Sequence, residues 1–501
     1  MLDPTREQPL FLQLAGAIAD DIRRGRLKPG DALPGSRELA ECLGINRNTV
    51  VAGYGELAAE GLIHTRIGGG TFVADSVNVP FAPHAPSAEY PARPTYRLMP
   101  PVYQLPPIGA PAPGALNICN GMPDVRLFPA AAMARAFRRA IGQRGRALLT
   151  YADPCGHPRL RKELAAMLAS TRALPVTPNN LMITRSIEQA IDLVARMLLQ
   201  PGDVVVVEAF GYPPAWSVLK LAGARLMPLP LDDDGLDISA LEALLAQQQV
   251  RAVFLTPHHQ FPTTVVMSHA KRLRLAELAL RHGFAIIEDD YDHEFHYAGK
   301  PVLPIASGAG RANVIYIGSL SNLLAPGISS GFVIAPAPVF ERLASLRAAS
   351  DAQGDAAMEC AIAELFEDGE LLRHVRRMRR IYAARRDALA ASLVRHLGSA
   401  VTFRTPAGGT GLWLRVDDAI DVAAWSVAGD LEGVQFFGAG RYEFFQREQP
   451  FMRLGFSYHD EAELDEAVRR MARALAQSRS SAVRPARKTT TPQATQTASH
   501  G

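Results

Sequence analysis

The chain reads as a multi-domain protein. An N-terminal winged helix-turn-helix, mostly α, precedes a large α/β domain with a mostly parallel sheet and a small C-terminal α+β lobe. Three observations lead there. The first 75 residues carry three helical patterns and then a glycine-tipped hairpin pattern. Residues 80–113 hold eleven prolines, too many for helix or central strand. Beyond Leu116, short apolar runs alternate with amphipathic stretches, as strands and helices do around a parallel sheet.

Composition bounds the rest. The 501 residues exceed one ordinary domain, and 48% hydrophobic with 21% charged residues describes a soluble globular protein. A net charge of +3 says little about partners. Cys42, Cys119, Cys155 and Cys360 match no metal or redox spacing and read as reduced thiols of a cytoplasmic protein. Asp3, Arg6 and Glu7 interrupt the N-terminus before any apolar run, so no secretory signal is expected. No apolar stretch reaches the roughly 18 residues of a membrane helix.

In residues 1–75, helices are expected over Leu10–Arg24, Ser36–Cys42 and Arg47–Glu60, then a hairpin over Ile63–Val73 turning at Gly68–Gly70. Leu43-Gly44-Ile45 is the turn: glycine permits the reversal and Ile45 plugs the core. Asn46 is placed to cap the next helix. Arg47, Asn48 and Thr49 fall in its first turn, where recognition helices meet base edges. Arg66 and the tip around Gly69 would reach an adjacent groove or phosphates. Eight Lys/Arg against ten Asp/Glu leave this unit net acidic at −2. Helix N-termini and individually placed arginines would therefore carry the phosphate contacts.

Residues 76–115 read as a semi-rigid proline-rich linker, or as a long ordered loop along the next domain. In residues 116–477, strands are expected at Val204–Val207, Ala252–Leu255, Ala285–Ile287, Val314–Ile317 and Gly331–Ile334. Helices are expected at Ile187–Leu199, Ile238–Gln247, His269–Arg281 and Leu371–His396. Residues 478–501 are Ser/Thr/Gln-rich, with Arg479, Arg484, Arg487 and Lys488 and no acid. They read as a disordered basic tail.

The run I-I-E-D-D-Y-D, Ile286 to Asp292, is an apolar strand ending in acids and a tyrosine. Such strand ends face the ligand crevice of open α/β sheets. A carboxylate there suits a protonated ring nitrogen, and a tyrosine two residues on suits a ring hydroxyl. His293, Glu294 and His296 extend the cluster, but their spacing fits no standard zinc pattern, and no metal is expected.

These motifs carry a family resemblance. Gly25 to Ala40, Asn46 to Val50 and Leu62 to Val73 resemble the GntR-type DNA-binding domain, which adds Arg37 to the residues expected on DNA. Tyr151–Gly156, Thr184–Leu193, Gly211–Pro213, Thr256–Thr263, Ile286–Asp292 and Met452–Phe456, in that order, resemble the fold-type I aminotransferase domain of MocR/GabR regulators. The resemblance implies a dimeric transcriptional regulator that binds double-stranded DNA with repeated half-sites and senses a small, amino-acid-like molecule. It also implies pyridoxal 5'-phosphate. Asp289 then faces the pyridine nitrogen, Tyr291 the phenolic oxygen, and Tyr212 stacks near the ring. Ser186, Ile187 and Ser319 form the phosphate cradle. Arg453 forks onto a carboxylate, and Tyr151 comes from the partner subunit.

One segment departs from that pattern. Where the family has G-T-F-S-K-T-L-F-P-A-L-R-L-G-Y, this chain has G-S-L-S-N-L-L-A-P-G-I-S-S-G-F, Gly318 to Phe332. Gly318, Ser321, Leu324, Pro326 and Gly331 fix the register without a gap. Asn322 stands for the lysine that bonds the cofactor, and Ser329 for the arginine that clamps its phosphate. An amide nitrogen, its lone pair delocalised, does not condense with an aldehyde. No lysine lies from Pro301 through Arg487 to restore the function. Glu188 adds negative charge beside the cradle. No transaminase activity is therefore expected, and pyridoxal phosphate is expected noncovalently or not at all. The alternative is a working aminotransferase with an accessory DNA module.

Overall fold

The computed structural model describes residues 8–66, 69–75, 96–98, 114–119 and 121–482. Most of the expected linker and tail, and Gly68, lie outside them. The chain divides into two compact units, residues 1–100 and 101–501.

The first unit runs α1 (Leu10–Arg23), β1 (Ala32–Leu33), α2 (Ser36–Leu43), α3 (Arg47–Ala59), β2 (Ile63–Arg66) and β3 (Gly70–Val73). Its strands form an antiparallel sheet in the order β1-β3-β2. Sequence reading missed β1, because two residues carry no periodicity. Gly44 adopts φ 62° and ends α2, as the turn requires. Asn46 Oδ1 accepts the Asn48 N–H at 2.8 Å, capping α3. Leu14, Ile22, Val50, Leu57, Ile63 and Val73 close a small core, with Ile45 packed at its edge.

In the second unit the strands are β4 (Leu116–Asn117), β5 (Leu181–Thr184), β6 (Val204–Glu208), β7 (Arg225–Leu229), β8 (Leu231–Asp232), β9 (Gly235–Leu236), β10 (Ala252–Leu255), β11 (Ala285–Asp290), β12 (Val314–Ser319) and β13 (Gly331–Ile334). Helices α4 (Ala130–Leu148), α5 (Pro158–Arg172), α6 (Ile187–Leu198), α7 (Pro213–Leu221), α8 (Ile238–Leu245), α9 (His269–His282), α10 (Ala337–Ser350), α11 (Ala356–Glu367) and α12 (Glu370–Leu397) surround them. Seven strands make one sheet in the order β5-β13-β12-β11-β10-β6-β7, parallel except for β13. Alternate residues feed two cores: Val204, Val206 and Val253 face one, Val205, Val207 and Phe254 the other. Coverage of both faces explains why these strands are apolar throughout. The two sheet-edge strands, β5 and β7, were missed. Pro228 argues against a strand in β7, yet an edge tolerates it.

The C-terminal lobe holds β14 (Val401–Phe403), β15 (Gly411–Val416), α13 (Val422–Leu431), β16 (Val434–Gln435), β17 (Phe451–Gly455) and α14 (Glu461–Ala482). Strands β14, β15 and β17 pair antiparallel, while β16 pairs with β4. Helix α14 passes the expected boundary at 477. Its buried Leu464, Val468, Met471 and Leu475 anchor it, and Ser478 Oγ bonds back to the Leu475 carbonyl at 3.0 Å. No described helix is long and apolar enough to cross a membrane.

Candidate effector site

The C-terminal ends of β11 and β12 open into a cavity of about 580 Å³. Strand β11 ends in Asp289 and Asp290, with Tyr291 and Asp292 following. Strand β12 ends in Ser319, with Ser321 and Asn322 following. The N-terminus of α6 closes one side with Ser186, Ile187 and Glu188. Tyr212 enters at the start of α7 and Arg453 from β17. Nine of the ten expected cofactor or effector residues thus line one cavity. The exception is Tyr151, which lies outside it and is 91% exposed.

Asparagine 322 is held rather than free. Its Nδ2 donates to the Tyr291 carbonyl at 2.9 Å, and its backbone N–H donates to Ser319 Oγ at 3.2 Å. The Tyr291 hydroxyl donates to the His259 carbonyl at 3.1 Å. Asp289 is buried, and its Oδ1 has no partner. Burial first, then the nearby Asp290, Glu188, Asp292 and Glu208, push its carboxyl well above the usual range. A group carrying an N–H⁺ at this point would satisfy the orphaned oxygen.

The α6 end of the cavity is acidic and hydroxylic. Tyr212 donates to Glu188 Oε1 at 2.7 Å. Ser186 Oγ caps α6 by accepting the Gln189 N–H, and Ser321 Oγ bonds to Ser330 through both its carbonyl and its N–H. Ser329, at φ 48°, turns its hydroxyl to the Arg185 carbonyl. The lining residues include no lysine, and their only cations are Arg441 and Arg453.

Arg453 is 3% exposed. Its guanidinium sits 5.0 Å over the Phe261 ring, and Nη2 donates to Thr410 Oγ1 at 3.3 Å. No carboxylate pairs with it among the described residues, and Nε is unpartnered. A Cβ on Gly411 would lie 2.8 Å from its Cζ, and one on Gly121 2.7 Å from Nη2. A side chain on either glycine would crowd the guanidinium, and one on Gly121 would crowd Thr410 as well. Sequence reading missed Phe261, Asp292, Thr410, Arg441 and Tyr442, which also line the cavity. The Gly408-Gly409-Thr410-Gly411 run ahead of an apolar strand was the available signal for Thr410.

In the first unit, Arg37, Asn46, Arg47, Asn48, Arg66 and Gly69 are exposed, and Thr49 is half-buried. Arg47 Nε contacts Ser36 Oγ at 3.3 Å, and Arg66 lies 5.3 Å over the Phe72 ring.

Comparison with known proteins matches both units. The family described as bacterial regulatory proteins, gntR family, matches residues 10–73, and aminotransferase class I and II matches residues 115–471. The probable rhizopine catabolism regulatory protein MocR of Rhizobium meliloti is 31% identical over 97% of both chains. The chain belongs to the MocR-type transcriptional regulators. A second regulator, TauR of Rhodobacter capsulatus, is 30% identical over 95% of this chain and 98% of its own. Among solved structures, the α-aminoadipate aminotransferase LysN of Thermus thermophilus, complexed with N-(5'-phosphopyridoxyl)-L-leucine, superposes with a TM-score of 0.68. That match has 28% identity over 73% of this chain and 93% of LysN.

Pyridoxal phosphate, which the aminotransferase family implies, fits this MocR-type cavity at one end. The unpartnered Asp289 Oδ1 suits a pyridinium nitrogen. The other end does not fit: Glu188 stands at the α6 N-terminus, and no lining lysine exists to anchor the ring.

Proposed function

We propose that this MocR-type regulator senses a small carboxylate-bearing molecule in its aminotransferase-like cavity and works without covalently bound pyridoxal phosphate or transaminase chemistry. The observation that carries this is the pairing of a buried, carboxylate-free Arg453 with a cavity that contains no lysine. Arg453 binds the carboxylate in a bidentate fork, with Thr410 steadying the guanidinium. Asp289, which lines the same cavity, offers an acceptor to a cationic nitrogen. An amino acid presents both groups.

Asn322 takes the place of the cofactor-bonding lysine and Ser329 that of the phosphate-clamping arginine. Ser186, Ile187, Ser319 and Ser321 retain a cradle that Glu188 makes unfavourable for phosphate. Losing one charge-assisted partner costs roughly 1.5–3 kcal/mol, about tenfold or more in affinity. Arg37, Asn46, Arg47, Asn48, Thr49, Arg66 and Gly69 meet the DNA. The regulator acts as a homodimer, in which Tyr151 reaches the partner's cavity; its 91% exposure in the single chain supports this.

The test is calorimetric titration with pyridoxal phosphate, with borohydride trapping and an absorption spectrum. The wild type should yield no borohydride-stable adduct and bind weakly. Asn322→Lys with Ser329→Arg should gain both the adduct and the yellow colour. A stable adduct on any wild-type lysine overturns the reading.

A further inference from the structure

Next to Asp292 of the cavity lining, the loop after β10 and the segment after β11 bring four histidines together. Ring centroids are 4.3 Å apart for His258–His259, 4.3 Å for His258–His293 and 5.9 Å for His259–His296. His258, His259 and His293 are buried, and His296 is half-buried. A neutral imidazole always carries one N–H and one lone pair, and both are costly to bury unpaired. Yet both nitrogens of His258 and Nε2 of His259 have no partner, and His296 has only the Ala298 backbone beside it. Three wholly unmatched ring nitrogens on adjacent rings call for a partner between them.

The arrangement already has the parts of a coordination sphere. Ligating nitrogens of His258, His259 and His296 all fall within 4.8 Å of one another. His259 Nδ1 lies 2.7 Å from Asp292 Oδ1, which leaves Nε2 free as the ligating atom. A carboxylate behind a histidine is the usual device for orienting a metal ligand. Gly408 leaves room: a Cβ there would sit 2.3 Å from His259 Nε2. A second triplet, His258, Asp290 and His293, also clusters. In it, His293 Nδ1 and Asp290 Oδ2 already satisfy each other at 2.9 Å.

We propose that His258, His259 and His296 bind one nitrogen-preferring divalent transition-metal ion, with zinc the first choice. All-imidazole donors favour such ions over magnesium or calcium. Tetrahedral zinc, with bonds of about 2.0–2.1 Å, sets its nitrogens roughly 3.4 Å apart. The three rings therefore draw inward when the ion enters. The site adjoins the effector cavity through Asp292, which lines the cavity and bonds His259.

The experiment titrates tag-free, chelator-stripped, full-length protein with Co²⁺, read by its visible absorption, and with Zn²⁺ against a chromophoric chelator. One equivalent per chain with nitrogen-ligand bands is expected, together with a higher Tm in Zn²⁺. His296→Gln, at the most exposed ring, should lose stoichiometric binding. Asp292→Asn keeps all three rings and should weaken binding about 10–100-fold. No stoichiometric binding by the wild type overturns the proposal. So does one retained equivalent in a His296→Gln protein whose circular dichroism shows it folded. Should His296→Gln fail to fold, unchanged affinity in Asp292→Asn overturns it instead.

Discussion

Glu208 ends β6 with its carboxylate fully buried, accepting the Thr256 N–H at 3.1 Å and the Thr256 hydroxyl at 3.0 Å. Burial raises its pKa from 4.5 to about 7, and Glu288 and Glu359 are raised to about 7 for the same reason. The folded protein thus holds these protons to higher pH than the unfolded chain. Their contribution is fully favourable below pH 4.5 and is lost as pH rises through 7. Glu208→Gln keeps an acceptor for Thr256 and removes the titration. Urea melts at pH 5 and pH 8 should show a smaller loss of stability in the variant than in the wild type, by about 1–3 kcal/mol. None of this was legible in the sequence. Glu208 follows four valines, and only the sheet order shows that it ends inside the molecule rather than at its surface.

Among elements, α3 depends most on one local interaction. It begins at Asn46, whose side chain satisfies the Asn48 N–H, and it has no acidic residue in its first turn to add a second stabilising effect. Asn46→Ala should destabilise the helix by about 1 kcal/mol. Amide exchange in the full-length protein should show this as faster exchange confined to the first turns of α3 and to α2 packed against it. Sequence reading located this helix to within one residue, because a cap, a glycine turn and an apolar stripe all agreed. It placed β10 and β13 without error for a related reason: strands buried on both faces are unbroken apolar runs. Edge strand β7 is interrupted by Pro228, β5 was missed although Leu181–Ile183 is apolar, and α14 outlasted its own polar composition because its earlier turns are anchored. The cavity followed the same rule. Motifs at strand ends pointed to Asp289, Tyr291 and Asn322. Arg441 and Tyr442 arrive from the C-terminal lobe by tertiary folding alone. His258 and His296 lie 38 positions apart on different loops, so no spacing pattern joined them.

Across the whole molecule, the proposed signal must be read in one unit and answered in another. The two glycines around Arg453 give this coupling a lever. A methyl group on residue 411 would meet the guanidinium at 2.8–3.0 Å, inside normal contact. Gly411→Ala should therefore displace Arg453, abolish the calorimetric signal for a carboxylate ligand and leave operator binding intact, since the DNA-reading unit is untouched. Reporter expression in cells carrying this variant should stay at the uninduced level whatever the growth medium contains. A single hydrogen-to-methyl exchange would turn a responsive regulator into a deaf one, frozen in its resting output and useful as a fixed reference against which any inducer of the natural chain can be found.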